Sequence, residues 1–256
     1  MKIAKKSFGQ HFLTDQNIIQ RIIKLVDQQA LQNICEIGPG RAALSKHLLH
    51  RIPRYTLVEA DHDMVAYLEK NYAILQPHVI QKDFLKLDMN LVFPNEDYLL
   101  FGNFPYNISS QIVIRTLENS PRIPLMLGMF QKEMALRIVS GFGSKDYGPL
   151  SILSSYMYER KILFDIDPLC FLPPPKVMSS FVELKRKENP MTTEKYYKIQ
   201  PFIRASFQFR RKTLRNNLKG FVRNVAALED PYFTIRPEDV APEMYLELYD
   251  RLMILV

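Results

Sequence analysis

The segment Gly102-Asn103-Phe104-Pro105-Tyr106-Asn107-Ile108-Ser109 combines residue types suited to one difficult reaction, substitution at an exocyclic ring amine. Such a nitrogen is a poor nucleophile because its lone pair is delocalised into the ring. The amide oxygen of Asn103 and the backbone carbonyl of Pro105 can accept its two N–H bonds and draw it towards a pyramidal shape. Pro105 lacks an N–H and stiffens the turn that aims those acceptors. Tyr106 offers a flat face for stacking a base. No strong general base is needed if the methyl donor is a sulfonium, because the proton can leave to water; catalysis is then positioning and hydrogen bonding. Asn and Pro are also ordinary turn residues, so a loop with a packed Tyr is the competing reading. Placement at the carboxyl end of a strand in an α/β sheet favours the chemical one.

A second group precedes it. Cys35-Glu36-Ile37-Gly38-Pro39-Gly40-Arg41-Ala42-Ala43 closes a predicted strand, and Gly38 and Gly40 let backbone approach a ligand closely. Glu59 closes the next strand, 19 residues after Gly40, where a carboxylate can accept from both hydroxyls of a ribose. Asp83, or its neighbour Phe84, follows the third strand and is placed to meet an adenine ring. Gly38-x-Gly40-x-x-Ala43 also fits the dinucleotide fingerprint, so NAD and S-adenosylmethionine both remain open on these residues alone.

Positioning these groups requires alternating strands and helices. Strands are predicted at 33–37, 55–59, 78–81, 98–101 and 125–130, with two more at 161–166 and 179–185. Helices are predicted from about Asp15, with Thr14 or Asp15 as N-cap, and at 42–50, 64–75, 109–119 and 132–140. This is the pattern of a doubly wound, Rossmann-like α/β domain. The polar stretch 186–194, with Pro190, reads as a linker, which divides the chain into a ligand-binding domain at 1–187 and a small helical domain at 188–256.

The chain has 256 residues, 47% hydrophobic and 24% charged, which excludes wholesale disorder. Two cysteines, Cys35 and Cys170, are too few for a disulfide framework or zinc cluster, so a reducing, cytoplasmic setting is expected. No run of about 18 apolar residues predicts a membrane span. The basic start, MKIAKKSFGQHF, lacks the apolar core of a signal peptide. No metal is implied, and a monomer is the default.

The formal charge of +7 is unevenly spread. Residues 198–223 carry eight basic side chains and no acid, whereas 224–256 carry two Arg against seven acids. If 201–219 forms one helix, Ile203, Phe207, Leu214 and Leu218 share an apolar stripe, and Arg204, Arg211, Lys212, Arg215 and Lys219 share a neighbouring face, with Arg210 across from it. A solvated surface is the plain reading of such a face. Five cations without an interleaved acid favour phosphate binding, joined by a basic arm at Lys2, Lys5 and Lys6.

From Lys6 to about Leu218 the chain resembles the ribosomal RNA adenine N6-dimethyltransferases, and within that family the bacterial small-subunit branch. The resemblance is carried by Phe8-Gly9-Gln10-His11-Phe12-Leu13, Glu36-Ile37-Gly38-Pro39-Gly40 and the Asn103 segment. It continues through Gln131-Lys132-Glu133, Tyr147-Gly148-Pro149-Leu150-Ser151, Phe171-Leu172-Pro173-Pro174-Pro175-Lys176-Val177 and Arg210-Arg211-Lys212-Thr213-Leu214-Arg215-Asn216. It implies a class I methyltransferase sheet and S-adenosylmethionine as methyl donor, contacted at positions matching His11, Leu13, Gly38, Glu59, Asp83 and Asn103. It also implies dimethylation of two adjacent adenines in the 3′-terminal hairpin of 16S rRNA on an assembling small subunit. Phe171 reads as a second aromatic near the target base, with core packing as the alternative.

Three positions depart from the family pattern: Phe104 where Leu or Ile is usual, Pro149 where Arg is often found, and Met178 where Asp is common. None removes a donor-site or Asn-x-Pro-Tyr residue, so activity is expected. The rival readings are a large-subunit methyltransferase of the macrolide-resistance type, a catalytically silent RNA-binding assembly factor, and a NAD dehydrogenase. The last is disfavoured because no His, Lys or Tyr-Lys pair is placed for hydride chemistry.

Overall fold

The computed structural model describes residues 10–30 and 32–255. Among them are nine strands and nine α-helices, beginning with β1 (Phe12–Leu13), α1 (Gln16–Asp27), β2 (Asn33–Ile37), α2 (Ser45–Leu48), β3 (Arg54–Glu59), α3 (His62–Asn71), β4 (Val79–Gln81), β5 (Leu99–Asn103) and α4 (Ser109–Glu118). There follow β6 (Leu125–Gln131), α5 (Lys132–Val139), α6 (Pro149–Met157), β7 (Tyr158–Ile166), β8 (Phe171–Leu172), β9 (Ser179–Arg186), α7 (Thr193–Ser206), α8 (Leu214–Leu218) and α9 (Pro242–Leu255).

Seven strands form one sheet in the order β4-β3-β2-β5-β6-β9-β7. The pairs from β4 to β6 are parallel and β6–β9 is antiparallel. The apolar runs of β2, β5 and β6 are buried almost throughout, as parallel strands covered on both faces require. Chain order reverses at β2, whose neighbours are β3 and β5, so a crevice opens beyond the carboxyl ends of β2 and β5. Gly38 follows β2 and Asn103 ends β5. A separate two-stranded sheet pairs β1 with β8, setting Phe12 opposite Leu172 and Leu13 opposite Phe171. No helix among the described residues is long and apolar enough to cross a membrane.

The local signals explain the element ends. Asp15 caps α1 by accepting from the Ile18 N–H at 2.9 Å, and Ile19, Ile22, Ile23 and Val26 form its buried face. The predicted helix at 42–50 shrinks to α2 because Ala42 takes a positive φ of 59° and cannot start it. The helix predicted at 64–75 starts earlier, at an Asp61 cap, and its last residues become a 3₁₀ turn containing Pro77. Pro149, a departure from the family pattern, stands at the first position of α6, where its missing N–H costs nothing.

The chain divides into two compact units, 1–135 with 161–186, and 136–160 with 187–256. The single boundary drawn from sequence at 187/188 therefore assigns 136–160 to the other side. Nothing in the composition of 136–160 marked it as belonging with the C-terminal unit.

The helix expected over 201–219 is corrected. α7 ends at Ser206, a turn runs through 207–213, and α8 resumes at Leu214. The buried amide of Asn217 is the physical reason. Its oxygen accepts from the Phe209 N–H at 2.6 Å, and its nitrogen is shared among the carbonyls of Phe209, Lys212 and Thr213 at 3.1–3.2 Å. These bonds satisfy the turn's backbone without a helix.

Candidate active site

The crevice beyond β2 and β5 holds a cavity of about 410 Å³. Its walls include His11, Leu13, Gly38, Glu59, Asp83, Asn103, Pro105 and Tyr106, together with Gln10, Phe12, Glu36, Arg41 and Lys82. Residues from five separate stretches of sequence thus converge at one end of the sheet.

The turn after β2 forms the floor. Gly38 and Gly40 have φ of 66° and 52°, conformations that side-chain-bearing residues rarely adopt. A Cβ on Gly40 would lie 3.1 Å from the Phe12 ring, so the turn is packed against the N-terminal segment. Glu59 is nearly buried; its two oxygens accept from the Gly40 N–H at 3.3 Å and the Asp61 N–H at 2.9 Å. Burial raises its pKa, opposed by those hydrogen bonds. Asp83 caps a short turn through the Leu85 N–H at 2.9 Å, with Phe84 buried beside it.

Asn103 ends β5, and its amide nitrogen donates to the His11 carbonyl at 2.8 Å. A donor facing a carbonyl fixes which end of the amide is which, so Oδ1 is the acceptor end. The Pro105 carbonyl already accepts from the Ile108 N–H at 3.2 Å, and retains a second lone pair. The Tyr106 hydroxyl meets Ser179 Oγ at 2.5 Å, and burial raises the phenol's pKa. The His11 ring is stacked on Tyr106 with centroids 5.3 Å apart, and its Nδ1 lies 2.8 Å from the Pro173 carbonyl. The N-terminal segment therefore orients the amide with its backbone and covers a tyrosine face with its side chain.

Phe104, between the two acceptors, is buried where the cavity wall meets the core. It is 1% exposed, packs on Phe130 at 5.2 Å, and rests on Gly128, where an added Cβ would fall 2.0 Å from the ring. The absence of a side chain at 128 is what accommodates a phenyl ring at 104.

Glu36 was not picked out from sequence. It lies on β2, is 2% exposed, and lines the cavity. Ser45 Oγ donates to its Oε2 at 2.6 Å, and the Tyr55 hydroxyl donates to the same oxygen. Burial holds its pKa up at about 7, partly opposed by those two donors, with the Glu59 charge adding to the rise. A carboxylate within the apolar run Asn33–Ile37 was the available signal. Ser179, 73 residues from Tyr106, gave none.

The sequence-predicted residues do not all assemble. Phe171, read as a second aromatic near the target base with core packing as the alternative, is 3% exposed in the core, opposite the buried Leu13, and is not among the residues lining the cavity. The aromatic of the N-terminal segment that lines it is Phe12. Arg204 is exposed on α7, Arg211 and Lys212 are exposed in the 207–213 turn, and Lys219 is exposed after α8, so no single helix face carries them. Arg215 is partly buried, donating to the carbonyls of Leu228 at 2.8 Å and Glu229 at 3.2 Å and pairing with the Glu229 carboxylate at 3.3 Å. Lys2, Lys5 and Lys6 lie outside the described residues.

A mainly parallel sheet with a glycine turn after β2, an acidic residue ending β3 and an Asn-x-Pro-Tyr segment after β5 defines a class I S-adenosylmethionine-dependent methyltransferase fold. The fold is shared with a dimethyladenosine transferase from Plasmodium falciparum, at TM-score 0.75 and 24% identity over 93% of this chain and 96% of that one. The 23S rRNA methyltransferase ErmE superposes with TM-score 0.66 at 26% identity, covering 94% of this chain and 99% of its own. The family model for ribosomal RNA adenine dimethylase matches residues 1–253. A relative from Flavobacterium johnsoniae, named ribosomal RNA small subunit methyltransferase A, is 41% identical over 252 residues, 97% of this chain and 95% of that protein. The chain belongs to the ribosomal RNA adenine dimethylase family.

Proposed function

We propose that the chain uses S-adenosylmethionine to dimethylate N6 of two adjacent adenines in the 3′-terminal hairpin of small-subunit 16S rRNA, on an assembling subunit. The observation that carries the reading is the Asn103 amide, anchored through its nitrogen so that its oxygen is the acceptor end at a cavity also lined by Glu59 and Asp83. The cavity's donor set fits the cofactor: two positive-φ glycines let backbone approach it, Glu59 and Asp83 stand at strand ends, and Glu36 lies below. When bound, that cofactor supplies an electrophilic methyl on a sulfonium.

This chain's residues do the rest. Asn103 Oδ1 and the Pro105 carbonyl accept the N–H bonds of the adenine amine and strip its lone pair of ring conjugation. Tyr106 supplies the stacking face, and Ser179 fixes its hydroxyl so that the ring keeps its angle. Phe104, seated on Gly128, keeps the two acceptors at fixed separation. These are positioning effects in a site partly shielded from water. The lone pair becomes available only in that geometry.

Small-subunit specificity is supported by relatives at 38–41% identity that carry the small-subunit name, against 26% for ErmE. The test joins binding to chemistry. Calorimetry should detect S-adenosylmethionine and no NAD. Replacing Asn103 with Ala should lower methyl transfer to undermethylated small subunits at least about a hundredfold. Unchanged transfer by Asn103→Ala overturns the catalytic assignment, and NAD binding overturns the cofactor.

A further inference from the structure

We infer that the C-terminal unit carries a preorganised binding surface for unpaired RNA bases, built from the 142–146 turn and the 207–213 turn. This rests on the reading of the chain as an rRNA methyltransferase. The two turns are 65 residues apart in sequence, yet the Arg210 guanidinium reaches the Lys145 carbonyl at 3.5 Å. Behind them Tyr147 and Phe207 pack edge to face, with centroids 6.2 Å apart.

What the turns present is a mixture of rings and cations. Phe142 and Phe209 are 59% and 54% exposed, and Lys145, Arg210, Arg211 and Lys212 are exposed beside them. The 207–213 turn contains no acid; the 142–146 turn contains one, Asp146. A single exposed Phe is ordinary. Two of them among four cations, on turns tied to each other, have the composition of a surface that stacks bases and holds phosphates.

The choice between paired and unpaired RNA follows from the rings. An A-form duplex buries its base faces and is held through phosphates and 2′-hydroxyls, which cations alone satisfy. Phenyl rings gain from contact only with bases that have left the stack. The cations fix the charge of the partner, and the rings fix its unpaired state.

The surface is held ready. Asn217, 2% exposed, bonds the backbone of Phe209, Lys212 and Thr213, and the Lys212 N–H adds a bond to the Phe209 carbonyl at 3.0 Å. A turn fixed before binding has less conformational freedom to lose on binding. In the one-helix reading of 201–219 the same residues would have spread around a cylinder.

The test uses the full chain and two labelled probes, an unstructured RNA of about 10 nucleotides and a blunt duplex of the same length, by fluorescence anisotropy over a salt series. For the Phe142→Ala, Phe209→Ala double variant, Kd for the unpaired RNA should rise at least tenfold, while the duplex Kd changes less than about twofold. The salt slope should not move. Tyr at both positions should restore affinity, which a general loosening of the turns would not allow. Arg211→Ala should instead lower the salt slope by about one for both probes. Wild-type affinity in the double Phe variant, or equal loss on both probes, overturns the inference. Methyl transfer by the wild-type chain to undermethylated small subunits is measured alongside. If that transfer fails, the functional reading fails; if it succeeds while the Phe variant binds normally, only this surface is wrong.

Discussion

Gly128 and Phe104 form a matched pair, and Gly128→Ala tests how the acceptors are held. The added Cβ would fall 2.0, 2.6 and 3.0 Å from three carbons of the Phe104 ring, all inside van der Waals contact. The backbone at 128 cannot retreat, because β6 is paired on one side to Gly102 of β5 and on the other to Val182 of β9. The ring cannot retreat easily either, being buried against Phe130. If it stays, overpacking costs about 1–3 kcal/mol. If it is expelled, the loss approaches that of a buried Phe, about 3–5 kcal/mol. The ranges meet near 3 kcal/mol, which for a domain of this size lowers Tm by about 6–12 °C. Since Phe104 lies between Asn103 and Pro105, kcat for methyl transfer should fall more than KM rises. The added Phe104→Leu change should recover a large part of both losses, a coupling of about 1–3 kcal/mol. Thermal melts and single-turnover methyl transfer on the four proteins of the cycle measure it. A Gly128→Ala protein that melts within a degree of wild type, or a loss that Phe104→Leu does not relieve, would show that Gly128 and Phe104 are not a matched pair.

Three further expectations are independent of that pair. Glu36, with a carboxyl pKa of about 7 in the fold against about 4.5 unfolded, binds its proton more tightly when folded. Its stabilising contribution is therefore complete below about pH 4.5 and lost as pH rises through 7, by about 3 kcal/mol in all; urea unfolding between pH 5 and 8 should show that slope flattened in Glu36→Gln, and an unchanged slope would contradict it. Tyr106→Phe, which loses the Ser179 bond but keeps the ring, should cost less than about tenfold in kcat, whereas Tyr106→Ala should cost at least about a hundredfold; equal losses would move the role from the ring to the hydroxyl. Arg215→Ala should destabilise the fold by about 1–2 kcal/mol through the Leu228 and Glu229 carbonyls, while the Arg211→Ala, Lys212→Ala double variant should melt normally and weaken rRNA binding with S-adenosylmethionine affinity unchanged; melts and filter binding separate the two, and a stable Arg215→Ala with RNA loss alone would reverse the assignment.

The parts legible in the sequence were those governed by short-range rules. Buried parallel strands announce themselves as apolar runs, and Gly38, Gly40, Glu59, Asp83 and Asn103 sit at the ends of such runs, where the topology makes a crevice. What escaped depended on contacts far apart in sequence or on a single side chain overriding local preference. A helical wheel over 201–219 has no way to register that Asn217 captures the backbone at 209–213. Phe171 lies on a two-residue strand, too short for periodicity to say which face it shows; its pairing with β1 turns it into the core beside Leu13. The assignment of 136–160 to the C-terminal unit is likewise a matter of packing rather than composition. The seat of Phe104 on Gly128 is likewise a contact between distant strand positions that local sequence does not display.

On the proposed function, the Asn103 amide oriented by the His11 carbonyl presents its oxygen to an adenine amine of small-subunit rRNA. That role is tested most directly by incubating undermethylated small subunits with the wild-type chain or Asn103→Ala, S-adenosylmethionine and no other enzyme, then mapping methylated bases on the rRNA. The expected result is two adjacent N6-dimethyladenines near the 3′ end with the wild-type chain and neither with Asn103→Ala. Methylation confined to large-subunit rRNA, or the same two marks made at the same rate by Asn103→Ala, would contradict it.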